Sequence, residues 1–313
     1  SFHQLQSPQR VDESFFALVL NGISTRKFEK AVEKIPQTFG ISKSSVPRKF
    51  IAASARQFRQ FHKHHFSNQN IIAIFMYGKS FAENQMILAL GVTLQEEKIV
   101  LGMVESHTEN HRVCQAFLQR LKERGLSDEN KLLFIVDGAK GLRKGIHNVF
   151  GKQALVQRCQ WHKRENVIAY LPKSQQGIFR KKLQKAYRQK SYKQVKQELA
   201  SIRKELNLLN QSAVNSLDEG LEETLTLHRL GMFEFLGISL KTTNCLESLN
   251  SQLEQYTRRV SYWKNSSQRQ RWVATALLEI EPNLRKIKGY RHLPLLRWAM
   301  ERDDEKQILA DVA

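Results

Sequence analysis

An aspartate at the end of a predicted strand is the first residue in the sequence suited to catalysis. Asp137 follows the continuously apolar run Leu132–Val136 and precedes Gly138. A carboxylate at the rim of a sheet, where the backbone turns away, is held rigidly and often has a functional role. The alternative is that Asp137 caps the following helix by accepting hydrogen bonds from its free N–H groups.

A glutamate and a cysteine–histidine pair are the next candidates. Glu247 lies in Thr242–Asn250, a segment that predicts a capped helix start. Cys159 and His162 are separated by two residues and follow a short predicted strand, Ala154–Gln157. Their spacing permits half of a zinc site. Because the sequence offers no second pair of ligands, we expect the two residues to support the structure or the active site, and we do not expect zinc.

Four basic residues lie near these motifs. They could neutralise DNA phosphates, although a lysine near a carboxylate can also be only its counter-ion. His162 could contact DNA or the carboxylates. The four residues are Lys140, Arg158, Lys163 and Arg164.

The elements that must position these residues follow an α/β order. Three predicted strands come first, and the second and third suit a hairpin or meander. A helix over Thr108–Arg124, the strand before Asp137 and a second helix follow. The three strands are Ile71–Met76, Met86–Val92 and Ile99–Val104, of which the first reads as a buried central strand.

The N-terminal part of the sequence predicts helices and a DNA-binding motif. Apolar residues recur at helical spacing over residues 13–65. Within this region Phe39–Val46 has the small-residue turn, capping serine and basic helix start of a helix-turn-helix. An ordinary turn between two packed helices would show the same pattern. A helix-turn-helix would bring four polar residues to the major groove, namely Lys43, Ser44, Ser45 and Arg48.

A second basic region lies between residues 175 and 209. It is helix-forming and contains no strand candidate. Its charges could form a solvated helix face or a surface that follows DNA phosphates. The cations are Arg180, Lys181, Lys182, Lys185, Arg188, Lys190, Lys193 and Lys196.

The overall charge favours a polyanionic partner. The 313 residues include 50 Lys and Arg against 30 Asp and Glu, a formal charge of +20, and we expect nucleic acid and no membrane partner. No apolar run reaches the roughly 18 residues of a membrane span. Three widely spaced cysteines argue against a disulfide framework and favour a reducing, cytoplasmic compartment. Because the sequence begins at Ser1, an upstream domain is left open.

Three segments form an ordered set of motifs. They read FIVDGAKGL from Phe134, QRCQWHK from Gln157 and KTTNCLES from Lys241. Together they resemble the Mutator-type insertion-sequence transposases of bacteria, with similarity from about Ser14 to Leu296. The set is far more specific than any one motif.

The resemblance implies a fold and a domain organisation. The fold is an α/β, ribonuclease H-like mixed sheet with flanking helices, a helical insertion and an N-terminal helical region of helix-turn-helix type. The expected segments are a DNA-binding region, the first part of the core, a basic helical insertion and the last part of the core. Their bounds are 1–68, 69–172, 173–238 and 239–313.

The resemblance also implies a triad of two aspartates and a glutamate. Asp137 and Glu247 match the second aspartate and the glutamate, but Tyr77 stands in the slot of the first aspartate, before Gly78. Two-ion phosphoryl transfer needs carboxylate ligands, and a phenol with an ordinary pKa of about 10 does not replace one. Another acid near position 77 could substitute for the missing carboxylate, and the candidates are Glu83, Glu105 and Glu109. Of these, Glu105 best suits the sheet rim because it follows the strand Ile99–Val104. A nucleophilic role for Tyr77 would need a convergent Arg/His cluster that the flanks do not show.

The resemblance therefore predicts a transposase that cleaves DNA and transfers strands with Mg²⁺ or Mn²⁺, in a copy that Tyr77 impairs. Its partners would be double-stranded DNA, as element terminal repeats and target, and further copies of the chain. The alternative is a catalytically inactive DNA-binding protein derived from a transposase. A sequence-specific regulator that uses the Ser42–Arg48 helix alone is a third hypothesis.

Overall fold

The structure is a computed structural model that describes residues 46–81, 83–107, 110–258, 260 and 262–303. The chain forms two compact units. One comprises residues 1–64 and 248–283, and the other comprises residues 65–247 and 284–313. This division crosses the four segments expected from the sequence, because the insertion belongs to the same unit as the sheet and the C-terminal segment is shared between both units.

Five strands and thirteen α-helices make up the described part of the chain. The strands are β1 Ile71–Phe81, β2 Asn84–Thr93, β3 Lys98–Ser106, β4 Leu132–Val136 and β5 Ala154–Arg158. The helices are α1 Val46–Lys63, α2 His111–Glu123, α3 Lys140–Phe150, α4 Gln160–Ala169, α5 Lys173–Tyr187, α6 Tyr192–Asn207, α7 Gln211–Asp218, α8 Leu221–Thr224, α9 Thr226–Arg229, α10 Phe233–Leu240, α11 Asn244–Thr257, α12 Ser266–Ile280 and α13 Leu293–Glu301. None of these helices combines the length and the hydropathy that crossing a membrane requires.

The strands form one mixed sheet in the order β3-β2-β1-β4-β5. β1, β2 and β3 are antiparallel neighbours, which confirms the predicted meander, while β4 and β5 run parallel to β1. Helices flank the sheet, so the architecture is the predicted α/β type and is consistent with a ribonuclease H-like fold. The strand Leu132–Val136 has the predicted bounds, but β1 continues five residues past Met76 because Tyr77 to Phe81 still pair with β2.

One face of the sheet packs against α2 and α3. Alternate residues of β1 and β4 contribute Ile74, Met76, Phe134 and Val136 to this core, all without solvent exposure. The helices contribute apolar side chains at helical spacing. They include Cys114, Phe117, Leu118 and Leu121 from α2 and Leu142, Ile146 and Phe150 from α3. The core fixes the strands whose carboxyl ends lead to Asp137 and Cys159.

The insertion is helical, as predicted, and has its own core. Leu183 from α5, Leu199 from α6 and Val214 from α7 are fully or almost fully buried there, together with Val167 from α4. Four of the eight predicted cations form ion pairs that partly neutralise the surface. These pairs are Arg180–Glu165, Lys182–Glu205, Lys190–Glu234 and Lys196–Glu222.

In the described part of the other unit, α1 packs against α12. The rings of Phe50 and Trp272 lie 4.7 Å apart between their centroids, and Trp263 meets Trp272 edge to face at 6.5 Å. The first of these contacts joins the two helices, and the second packs the segment before α12 onto that helix. The predicted helices before residue 46, and with them all but the last residue of the Phe39–Val46 motif, lie outside the described residues.

Candidate active site

The register of two parallel strands places Tyr77 beside Asp137. Met76 and Val136 are the last paired residues of β1 and β4, and Tyr77 and Asp137 follow them. Side chains alternate across a sheet, and neighbouring parallel strands lie roughly 4.8 Å apart. Since Met76 and Val136 both point into the core beneath α2 and α3, Tyr77 and Asp137 both leave the sheet on its other face. Position 77 therefore lies next to Asp137, where the pairing of β1 with β4 ends.

A tight turn fixes the carboxylate of Asp137. Its Oδ1 accepts a hydrogen bond from the backbone N–H of Ala139 at 3.0 Å. Gly138 adopts φ +108°, a conformation that a residue with a Cβ rarely takes. Asp137 therefore accepts a hydrogen bond within the turn before α3, but it does not cap that helix, whose N-cap is Ala139 and has no side-chain cap. The other oxygen of Asp137 makes no hydrogen bond among the described residues.

Glu247 reaches the same region because the start of α11 is tied to the end of β5. The backbone N–H of Cys159 donates to Val136 O at 2.7 Å, and that of Gln160 donates to Lys241 O at 2.9 Å. Thr243, just before α11, lies 3.4 Å from Nδ1 of His162 through its hydroxyl oxygen. Its carbonyl accepts the N–H of Glu247 at 3.2 Å. The three motifs thus meet at one edge of the sheet.

Cys159 and His162 form a hydrogen-bonded pair at the centre of this region. Burial raises the pKa of the Cys159 thiol, but the hydrogen bond and the charge of His162 outweigh burial and leave that pKa below its ordinary value. The same hydrogen bond raises the pKa of His162 against the opposing effect of burial, and the charges of Cys159, Asp137 and Glu247 add to the rise. Both carboxylates therefore lie within electrostatic reach of one imidazole.

The family resemblance implies a ligand set of three carboxylates for divalent ions at this centre. Hard ions such as Mg²⁺ take oxygen ligands, mainly carboxylates. In that pattern Asp137 and Glu247 would be two of the ligands, and Tyr77, a phenol, occupies the third position. Among the described residues, no three His, Cys, Asp or Glu side chains converge as a metal-binding group.

Two of the three acids near Tyr77 in sequence lie away from it in space. Glu105 on β3 pairs with Met86 on β2, and Met86 in turn pairs with Lys79 on β1. Glu105 is therefore two strands away from β1, a distance of roughly 10 Å across the sheet. Its Oε1 accepts a hydrogen bond from Asn84 at 2.7 Å. Glu83 follows the end of β1, at least roughly 13 Å along the strand from Tyr77. Glu109 lies outside the described residues.

Two of the basic residues expected at DNA have a different environment. Lys163 is fully buried, and its ammonium donates to the carbonyls of Ser216 and Glu219. Arg158 is 3% exposed and donates to the Glu219 carbonyl at 2.9 Å. These contacts correct the expectation of phosphate contacts for both residues, because their cations bind the main chain of the insertion and do not reach the surface.

Of the other predicted DNA-binding residues, Lys140 is exposed and Arg164 is mostly covered. The Lys140 side chain is 83% exposed, with its ammonium 3.8 Å from Glu219. Arg164 is mostly covered and forms an ion pair of 2.8 Å with Glu165. Arg48 belongs to α1, and its side chain is not described. Three residues of the predicted motif, Lys43, Ser44 and Ser45, lie outside the described residues.

Sequence reasoning missed the polar joint between the sheet and the insertion. Besides Lys163 and Arg158, the amides of Gln157 and Gln160 both donate to the carbonyl of Thr224 at 2.9 Å. All four donors are long side chains within or beside the C-x2-H motif. Two of them end β5 and two lie in the first turn of α4, so their spacing could have indicated a shared polar contact. Their acceptors are backbone atoms, which no side-chain pattern reveals.

Comparison with known proteins agrees with the resemblance that the motifs show. The model of the family described as "Transposase, Mutator family" matches residues 4–286. The chain is 24% identical over 286 residues to the transposase for insertion sequence element IS256 in transposon Tn4001 of Staphylococcus aureus, which covers 85% of this chain and 69% of that protein. It is also 24% identical over 307 residues to the transposase for insertion sequence element ISRM5 of Rhizobium meliloti (strain 1021), covering 95% of this chain and 75% of that protein. With the family model matching nearly its whole length, this chain belongs to the Mutator family of transposases.

Proposed function

We propose that this chain binds the DNA of an insertion sequence but that its own cleavage and strand-transfer activity is impaired at position 77. The observation that carries the proposal is the register that sets Tyr77 beside Asp137, where the family pattern calls for a carboxylate. Double-stranded DNA, as element ends and target, is the proposed partner. By analogy with the family, assembly of several copies on DNA belongs to the same proposal.

The electrostatic cost of the tyrosine supports impairment. At an effective dielectric of ~20, a unit-charge pair at ~4 Å contributes roughly 4 kcal/mol, and a divalent ion roughly doubles that figure. Loss of one carboxylate should therefore weaken ion binding by several orders of magnitude. The separation of Glu83 and Glu105 from Tyr77 leaves neither placed to restore the missing charge.

Binding of DNA without cleavage depends on other features. The formal charge of +20 favours association with a polyanion, and the exposed Lys140 lies at the start of α3, three residues from Asp137. The buried Arg158 and Lys163 do not contribute to such a surface, so the proposal does not rely on them.

Restoration of the carboxylate tests the proposal. The variants are Tyr77→Asp and, as a control that lacks the charge, Tyr77→Asn. Each is incubated with an oligonucleotide duplex from the DNA flanking its own coding sequence and with a supercoiled plasmid, in Mg²⁺ or Mn²⁺. We expect joined products only with Tyr77→Asp, and we expect them to vanish when Asp137→Asn is added.

The outcomes separate impairment from inactivity of another origin. Strand transfer by the unmodified chain that Asp137→Asn abolishes would show that Tyr77 does not impair the enzyme. Retention of DNA by all variants, without products from any, would favour the alternative of a DNA-binding protein that has lost catalysis beyond position 77. Absence of DNA retention would refute the DNA-binding part of the proposal.

A further inference from the structure

A small cationic pocket lies beside the candidate active site. Its volume is about 180 Å³, and it lies among α4, the end of α5 and the segment that joins α10 to α11. Trp161, Arg164, Arg188, Lys241 and Thr242 contribute to its lining. Liquid water occupies about 30 Å³ a molecule, so the space exceeds that of a few waters and suits one planar ring.

Trp161 gives the pocket an accessible aromatic wall. Its side chain is 45% exposed, although the residues on either side of it, Gln160 and His162, take part in the contacts that hold the active site. The indole meets the imidazole of His162 edge to face, with ring centroids 4.8 Å apart. A tryptophan fixed in this way keeps ring surface available for stacking on another planar group.

The positive charge of the pocket has no carboxylate to balance it within the lining. No Asp or Glu lines the pocket, and Arg164 is already paired with Glu165. In the described part of the chain no ion pair joins Arg188 or Lys241 to a carboxylate, and the Lys241 ammonium lies 5.5 Å from the ring centre of Phe233. Burial lowers the pKa of Lys241, and the nearby charge of Arg188 lowers it further. Two cations that repel each other at one pocket provide a site for an anion.

The position of the pocket relates it to the candidate cleavage centre. Thr242 lines it, and the next residue, Thr243, contacts His162 and accepts the N–H of Glu247. An aromatic wall with adjacent cations matches the two parts of a nucleotide, because the base stacks and the phosphate binds the cations. We propose that this pocket binds one unpaired nucleotide of a DNA strand held at the active site, with the base on Trp161 and the phosphate at Arg188 and Lys241.

This inference rests on the proposed DNA binding, and the experiment separates the two. Two short duplexes carry the same dye, one fully paired and one with a single extrahelical 2-aminopurine. Affinity is measured by anisotropy and stacking by quenching of 2-aminopurine fluorescence. The full chain is compared with Trp161→Ala, Trp161→Phe and a matched control, Trp298→Ala, which removes another exposed indole, 53% accessible, from α13.

We expect the unmodified chain to prefer the duplex with the extrahelical base. Trp161→Ala should weaken that complex about tenfold and leave the paired duplex within about twofold, while Trp161→Phe and Trp298→Ala keep the preference. Circular dichroism checks that each variant is folded. Arg188→Gln should weaken the same complex without abolishing the quenching.

Three results would overturn the inference. The first is an equal affinity of the unmodified chain for both duplexes, which leaves general DNA binding intact. The second is a preference that Trp161→Ala retains. The third is displacement of the 2-aminopurine signal by free dAMP as effectively as by the unlabelled duplex, which would assign the pocket to a mononucleotide. Failure to bind either duplex would instead refute the proposed function itself.

Discussion

Replacement of Gly138 by alanine should destabilise the unit that contains the sheet. Gly138 follows Asp137 and has φ +108°, and a Cβ added there would lie 2.0 Å from Nε and 2.6 Å from Cζ of Arg158. The guanidinium cannot move aside freely, because it is buried and donates to the Glu219 carbonyl at 2.9 Å. The alanine side chain is therefore strained by the backbone conformation and also displaces the guanidinium from this hydrogen bond.

The two costs can be added. A residue with a Cβ in a left-handed conformation costs roughly 1–2 kcal/mol, and loss of a hydrogen bond to a charged group costs about 1.5–3 kcal/mol. We therefore expect Gly138→Ala to lower the free energy of unfolding by about 2.5–5 kcal/mol. Urea denaturation followed by circular dichroism measures this change.

Gly177 provides a matched control. It lies within α5, and a Cβ added there would meet nothing within 4 Å. Gly177→Ala should stabilise the chain by up to about 1 kcal/mol, since alanine is the better helix former. If Gly138→Ala unfolds at the same urea concentration as the unmodified chain, the close contact with Arg158 is not the constraint described above.

Two further predictions concern pH. Burial lowers the pKa of His228 to about 4. Between about pH 6.5 and 4 the imidazole is therefore protonated in the unfolded chain but still neutral in the folded chain, so stability falls as the pH falls. His228→Gln should remove about 3 kcal/mol of that acid loss, measured as unfolding free energies at pH 7 and pH 4, and an unchanged loss would contradict the assignment. Burial, then the charge of Arg158, lowers the pKa of Lys163 to about 8, so stability should rise with pH between about 8 and 10.4 as the folded chain releases its proton first. In Lys163→Met the free energy of unfolding should rise by up to about 3 kcal/mol less over this pH range. An equal rise in the variant and the unmodified chain would refute this role of Lys163.

The strands of the fold could be predicted where apolar runs mark burial, but not where pairing alone extends a strand. Leu132–Val136 is buried along its whole length and was predicted with its correct bounds. β1 loses its apolar character after Met76, so the sequence suggested an end there. Pairing with β2 carries the strand on to Phe81 through polar residues, and hydrogen bonds between main chains leave no trace in the side-chain pattern.

The candidate site was predictable in its motifs and less so in its charges. Main-chain hydrogen bonds at Cys159, Gln160 and Glu247 bring the ordered segments to one edge of the sheet, while the roles of Asp137 and Glu247 stay a prediction. Arg158 and Lys163 were expected to neutralise phosphates because they lie near the motifs. Their burial depends on carbonyls at Ser216 and Glu219, which are more than 50 residues away and belong to a separate helical insertion.

The insertion is attached to the sheet in part through its own main chain. The side chains of Gln157, Arg158, Gln160 and Lys163 end on peptide oxygens near α7 and α8, and every amino acid carries such an oxygen. Substitutions at the receiving positions can therefore accumulate while the geometry of the attachment is retained. In distant relatives, the persistence of the four donors is a better sign of this connection than similarity in the segment that accepts them.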